Sequence, residues 1–121
     1  MKAAEIIKSV KELEHSDYED QRMLQWLSEL DGQIWEEVIQ THEGAPETAF
    51  TGHQSPDSEL LAAWPYAQSM YENYLKAKIA AENAETERYN QCAALYAAAL
   101  GDFRNWYNRK HRPKGFGCMR I

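Results

Sequence analysis

Two cysteines are all that 121 residues provide. Cys92, on a helix seam, and Cys118, in the tail, are too few to make a disulfide framework or a structural metal set. Cysteine usage of this kind fits a reduced, cytoplasmic setting. Glycine (6) and proline (4) are also scarce, and β-branched residues are thinly spread, which argues against a fold made of strands and tight turns. No apolar run approaches the roughly 18 residues that a membrane span needs. The opening stretch MKAAEIIKSVKELEHS has no apolar segment of the signal-peptide kind, so neither membrane insertion nor signal-directed export is expected. Catalytic signatures are missing as well: no phosphate-binding glycine loop, no HExxH and no GxSxG. Carboxylate pairs such as Glu36 with Glu37 are ordinary on an acidic helix. His42 and His53 have no third ligand at metal spacing. The expectation is a protein that is not an enzyme and holds no metal or cofactor.

What the chain has instead is helical periodicity and aromatic rings. It is 44% hydrophobic and 26% charged, with 4 Trp and 7 Tyr, and its length suits one domain. The predicted class is all-α: a bundle of three main helices plus a short N-terminal helix, with a long loop at about 42–57 and an extended basic tail at about 113–121. Charge divides unevenly. Residues 1–101 carry 7 basic against 18 acidic groups, a balance of −11, and residues 102–121 carry 6 against 1, a balance of +5. Such a basic end suits the negative pole of a helix C-terminus. An acidic body argues against general affinity for DNA, because its field repels phosphate.

The stretch from Tyr89 to Arg112 reads as the organising element. Tyr89, Cys92, Ala93, Tyr96, Ala99, Leu100, Phe103 and Trp106 or Tyr107 recur in threes and fours along one helix face. The alanines between them favour helix and permit close approach of a neighbour. Counted from Glu85 to Arg112, this helix would be roughly 42 Å long. Gly101 is its internal weak point, a candidate bend or close contact, and Leu100 and Phe103 keep the phase across it. The rest of the chain is expected to pack against this rod.

Upstream, Ala3, Ile6, Ile7, Val10 and Leu13 make residues 2–14 a short amphipathic helix. Ser16 and Glu19 stand at capping-box spacing, which predicts a second helix from Asp17 to about Thr41. Its stripe is Met23, Leu27, Leu30, Ile34 and Val38, widened by Leu24, Trp35 and Ile39, with Trp26 off the stripe as a rim residue or subunit contact. Residues 42–57 hold Gly44, Pro46, Gly52 and Ser55-Pro56, a loop either mobile or ordered by a partner, with Phe50 as its anchor. Asp57 or Ser58 could cap a short turn over SELLAAW. A third helix is predicted from Pro65, with Ala67, Met70, Tyr71, Tyr74, Leu75, Ala77, Lys78 and Ala81 facing inward and Ile79 beside them. From there either one very long helix runs on or a tight turn at Asn83-Ala84 folds the chain into a helical hairpin, Asn tolerating the left-handed conformation such a turn needs; the hairpin is favoured, because a continuous rod could not bury its seams in one domain. Pro113 ends the last helix, and KGFGCMRI follows as a flexible tail with apolar hooks.

Three segments, LQWLSELDGQIWEEVIQTH, ELLAAWPYAQSMYENYLKAKI and ERYNQCAALYAAALGDFRNWYNRKHRP, together resemble the small head-tail connector (head-completion adaptor) proteins of long-tailed phages and prophages. The resemblance spans Met1 to Pro113. Its most specific pieces are Trp64-Pro65-Tyr66, Arg88-Tyr89-Asn90 and the run from Phe103 to Arg109. Where such proteins often have Asn-Gly at the inter-helix turn, this chain has Asn83-Ala84. The resemblance implies a structural virion protein of the phage neck, assembled in the bacterial host cytoplasm. It would form a ring of about a dozen subunits under the portal, extend the DNA channel without sequence-specific contacts, and present a face to the next completion protein. Packing roles then fall to Leu27, Leu30, Ile34, Tyr74, Tyr89, Tyr96 and Phe103. Subunit or portal contacts fall to Trp26, Phe50, Arg109, Lys110, Arg112, Lys114 and Phe116. A different class also fits the composition: a small helical regulatory or toxin-antitoxin-like protein that binds nucleic acid through its basic C-terminal end.

Overall fold

The computed structural model describes residues 1–14 and 19–112. Helix α1, Ala3–Glu14, buries Ala3, Ile6, Ile7 and Val10 as expected, but Leu13, expected on the same face, is 58% exposed in the last turn. Its first amide groups have no partner within the helix and take them from the loop: Ala3 N–H donates to the Ser58 carbonyl at 3.0 Å and Ala4 N–H to that of Pro56 at 2.8 Å. An isolated antiparallel bridge joins Lys2 to Glu59. The N-terminal ammonium meets the Glu59 carboxylate at 2.8 Å, and this charged contact holds the Glu59 carboxyl below its usual range.

Helix α2, Asp20–Ile34, continues into a π-helical turn, Trp35–Ile39. The wider turn is closed by Gln40 N–H donating to the Trp35 carbonyl at 2.8 Å, five residues back. That extra residue rotates the face, so Trp35, Val38 and Ile39 all remain buried. The helix starts later than the sequence suggests. Glu19 is extended (ψ 144°) and stands outside the first turn without a side-chain cap, so the capping box fails, since it needs Glu19 inside the helix; Ser16 lies outside the described residues. Seven α2 residues are buried, Trp26 and Asp31 among them. Buried groups thus cover a wide arc of α2.

Helix α3, Ala67–Glu82, begins after the Trp64-Pro65-Tyr66 turn rather than at Pro65, with Ala67 N–H bonded to the Trp64 carbonyl at 3.1 Å. Ala67, Met70, Tyr71, Leu75 and Ala77 point inward as expected, and Ile79 and Ala80 join them, whereas Tyr74 and Lys78 are half-buried and Ala81 is exposed. The hairpin turn forms, but by a different residue. Asn83 has φ −90°, and it is Ala84 that adopts the left-handed conformation, φ 57°. Glu85 N–H reaches back to the Ala80 carbonyl at 2.9 Å and Ala84 N–H to that of Ala81 at 3.3 Å, the paired bonds of a Schellman stop. The left-handed site of that motif belongs to the residue after Asn83, which is where a glycine would be at ease.

Helix α4, Thr86–Lys110, runs back along α3 for about 37 Å. The predicted seam faces inward, yet only Cys92 and Phe103 are buried. Tyr89, expected in the core, is 42% exposed. The helix passes through Gly101 unbroken, and a Cβ built there would meet nothing within 4 Å, so no close contact within the chain explains the glycine. The core is assembled from α1, α2 and α3, with Phe103 as the one deeply inserted side chain of α4. The last helix is therefore a peripheral strut on α3 and not the rod around which the chain packs. No described helix is long and apolar enough to cross a membrane.

Candidate interaction surfaces

The long loop is fastened by its own protein. Asp31, fully buried on α2, is the hub. His53 Nε2–H donates to its Oδ2 at 2.6 Å, Leu61 N–H to the same oxygen at 3.0 Å, and the Tyr71 hydroxyl to Oδ1 at 2.6 Å. Tyr71 in turn accepts from Ala62 N–H at 3.0 Å, and His53 N–H donates to Ser28 Oγ at 2.9 Å. Burial, and then the charge of Asp31, push the Tyr71 phenol well above its ordinary pKa, so it stays protonated and donating. Every described buried side-chain polar atom has a partner, and the hub is saturated by groups that tie residues 53–62 to α2 and α3. From His53 onward the loop is thus held by the chain itself. The physical cause is one buried carboxylate that needs donors, and a loop that supplies them. The turn near Asp57 is corrected: Ser55 closes it, through Ser58 N–H to the Ser55 carbonyl at 3.0 Å, and Leu60 and Ala62 then run extended into the core.

Trp26, expected at a rim or subunit contact, is 7% exposed and belongs to the core. The Arg22 guanidinium lies over its ring at 5.3 Å. The heptad count missed it because α2 is covered on more than one side. Phe50 is half-buried on the core with its ring edge-on to His53 at 5.0 Å, so it anchors the loop internally and offers only part of its surface to a partner. Arg109, Lys110 and Arg112 stand exposed together at the end of α4. Lys114 and Phe116 lie outside the described residues, as does the proposed tail.

What spacing could not reveal is the ring system beneath that basic end. Tyr66 contacts Trp64 (5.7 Å), Trp64 contacts Phe103 (6.0 Å), and Phe103 meets Trp106 and Tyr107 (6.3 and 5.8 Å). Tyr107 carries His111 stacked at 4.2 Å on one side and His42 edge-on at 4.8 Å on the other. His42 is fixed between the Val38 carbonyl, at 2.5 Å from Nδ1, and the Asn108 side-chain oxygen, at 2.5 Å from Nε2. Glu43 N–H donates to the Arg112 carbonyl at 2.7 Å. The start of the long loop and the end of α4 are thus clasped together. Among the described residues no three His, Cys, Asp or Glu side chains gather where they could hold a metal.

The outer face of α4 is the second open surface. From Gln91 to Gly101 it has no charged residue, and Ala94, Leu95, Ala97, Ala98 and Gly101 are all exposed, Leu95 at 57%. Compared with family models, with curated proteins and with solved structures, the chain matches none.

Proposed function

We propose that the protein is a structural, non-enzymatic subunit of a phage head-tail connector. In this reading it forms a ring of about a dozen copies under the portal, in the neck of the virion, and lets DNA pass without sequence-specific binding. The observation that carries the reading, beside the sequence resemblance, is the one-sided engagement of α4. A helix of 25 residues uses one face on its own body and leaves a long uncharged face open. Exposed apolar surface of that extent is normally covered by another protein. Small residues along it would let a neighbouring helix approach closely. The acidic body supports passage of DNA through a channel, since like charge keeps phosphate from sticking. The basic end and the tail would meet the portal, and another face the next completion protein.

The test is the mass of the purified protein by light scattering, alone and with purified portal rings. A monomer or a ring of about a dozen that co-migrates with portal is expected. A fixed small dimer that ignores portal and binds DNA in a salt-sensitive way would overturn the reading and favour a regulatory protein.

A further inference from the structure

We infer that the end of the molecule where α3 begins and α4 finishes is a docking surface for an acidic segment of another protein that also carries aromatic or apolar side chains. Tyr66 is 71% exposed, the most open large apolar side chain among those described. It leans edge-on against the half-buried Trp64. Trp106, Tyr107 and His111, also half-buried, extend the same ring system across Phe103. Beside them are three exposed cations, Arg109, Lys110 and Arg112, and among the described residues no carboxylate lies within ion-pair distance of any of them. Three cations elsewhere are paired: Arg104 with Glu37 at 2.7 Å, Arg22 with Glu82 at 3.1 Å and Lys11 with Asp20 at 2.5 Å.

Tyrosine, tryptophan and arginine are the residue types that supply most binding energy at protein interfaces. These rings are already fixed by one another and by the His42 clasp, so docking orders little that is free. The charge pattern selects the partner class. Glu43 adjoins the cationic cluster through its backbone bond to Arg112, and the body beyond it is acidic. A polynucleotide presents a phosphate at every step and would run on into that negative field, whereas a short acidic segment can match three cations and turn away. The inference does not depend on the connector reading, because it concerns the free protein and a probe.

The probe is a fluorescein-labelled short random copolymer of glutamate and tyrosine, added to the full-length protein at low salt and followed by anisotropy. Poly-L-glutamate and a single-stranded oligothymidylate serve as rivals. The copolymer should bind several-fold more tightly than poly-L-glutamate, and binding should weaken as salt rises. Replacing Arg109, Lys110 and Arg112 together by alanine should weaken it about tenfold, and Tyr66→Ser should weaken it by a smaller factor, with helical circular dichroism unchanged, since all four side chains are exposed. Copolymer binding that is absent, or that the triple variant leaves intact, overturns the inference. So does preferential binding of the oligothymidylate, which would assign the surface to nucleic acid.

Discussion

The α1–α3 core and the α4 strut are built on opposite economies of burial. The core closes on itself: its apolar residues are almost fully covered, and its one buried carboxylate collects three donors from the loop and from α3. The strut does not. Of its 25 residues only Cys92 and Phe103 are buried, and the remainder of its inward face is half-covered. One region has satisfied its contacts within the chain, and the other keeps surface in reserve. A long helix can hold such a position because its backbone hydrogen bonds are internal, so one good packing face suffices to keep it formed.

The most severe way to break that contrast is Asp31→Ala. It would strand the Tyr71 hydroxyl, the Leu61 amide and the His53 ring N–H in the interior, and a loss of about 4 kcal/mol is expected. Urea unfolding checks the size, and hydrogen exchange should show the Leu61 and Ala62 amides losing protection first. A loss below about 1 kcal/mol would mean that the loop is held by its apolar residues alone.

Phe103→Ala is next, at about 3 kcal/mol for an aromatic ring removed from the core. Its signature distinguishes the two regions. Amides of α4 should exchange rapidly while those of α1 and α2 keep most of their protection. Uniform loss of protection would show the strut to be as integral as the core.

Alkaline pH probes the same division more gently. Burial raises the phenol pKa of Tyr71, Tyr96 and Tyr107, and pushes that of Tyr74 up to about 12. In the unfolded chain these groups ionise near pH 10, while the folded protein keeps them neutral. Stability should therefore be level below about pH 10 and fall as pH rises from there towards 12. Tyr71→Phe should flatten part of that fall, at the cost of a hydrogen bond at neutral pH, as urea titrations at pH 8 and pH 11 would read. The smallest expected effect is a gain. Ala84→Gly relieves a left-handed alanine at the hairpin turn and should stabilise by about 0.5 kcal/mol, the relief exceeding the extra entropy of the unfolded chain. A destabilised variant would contradict the Schellman stop as the turn's determinant.

Helix positions were legible because the three-and-four spacing of apolar residues survives any later packing. Ala3 to Val10, Met23 to Val38, Ala67 to Ala77 and Cys92 to Phe103 all point where that spacing sends them. The relative importance of the helices was not legible. Periodicity gives the direction of a face and not how much covers it, so α4, with the cleanest seam in the sequence, is peripheral in the fold. Trp26 was misplaced for the complementary reason, since a helix covered on several sides buries residues that a single stripe leaves out. Of the candidate surface, Arg109, Lys110 and Arg112 were visible as a run of charge. The ring system of Tyr66, Trp64 and Tyr107 was not, because it is joined through Trp64 and Phe103, distant in the chain and brought together only by the hairpin.

The sequence by itself determined a helical chain, an antiparallel hairpin near residue 84 and a division into an acidic body and a basic end, since these follow from local spacing, turn chemistry and charge. Only the tertiary structure decided that Asp31 is the hub of the loop, that Trp26 is buried, and that aromatic rings from three segments underlie the basic end. Those outcomes rest on contacts between residues distant in the chain, and such contacts leave no periodic trace in the sequence that makes them.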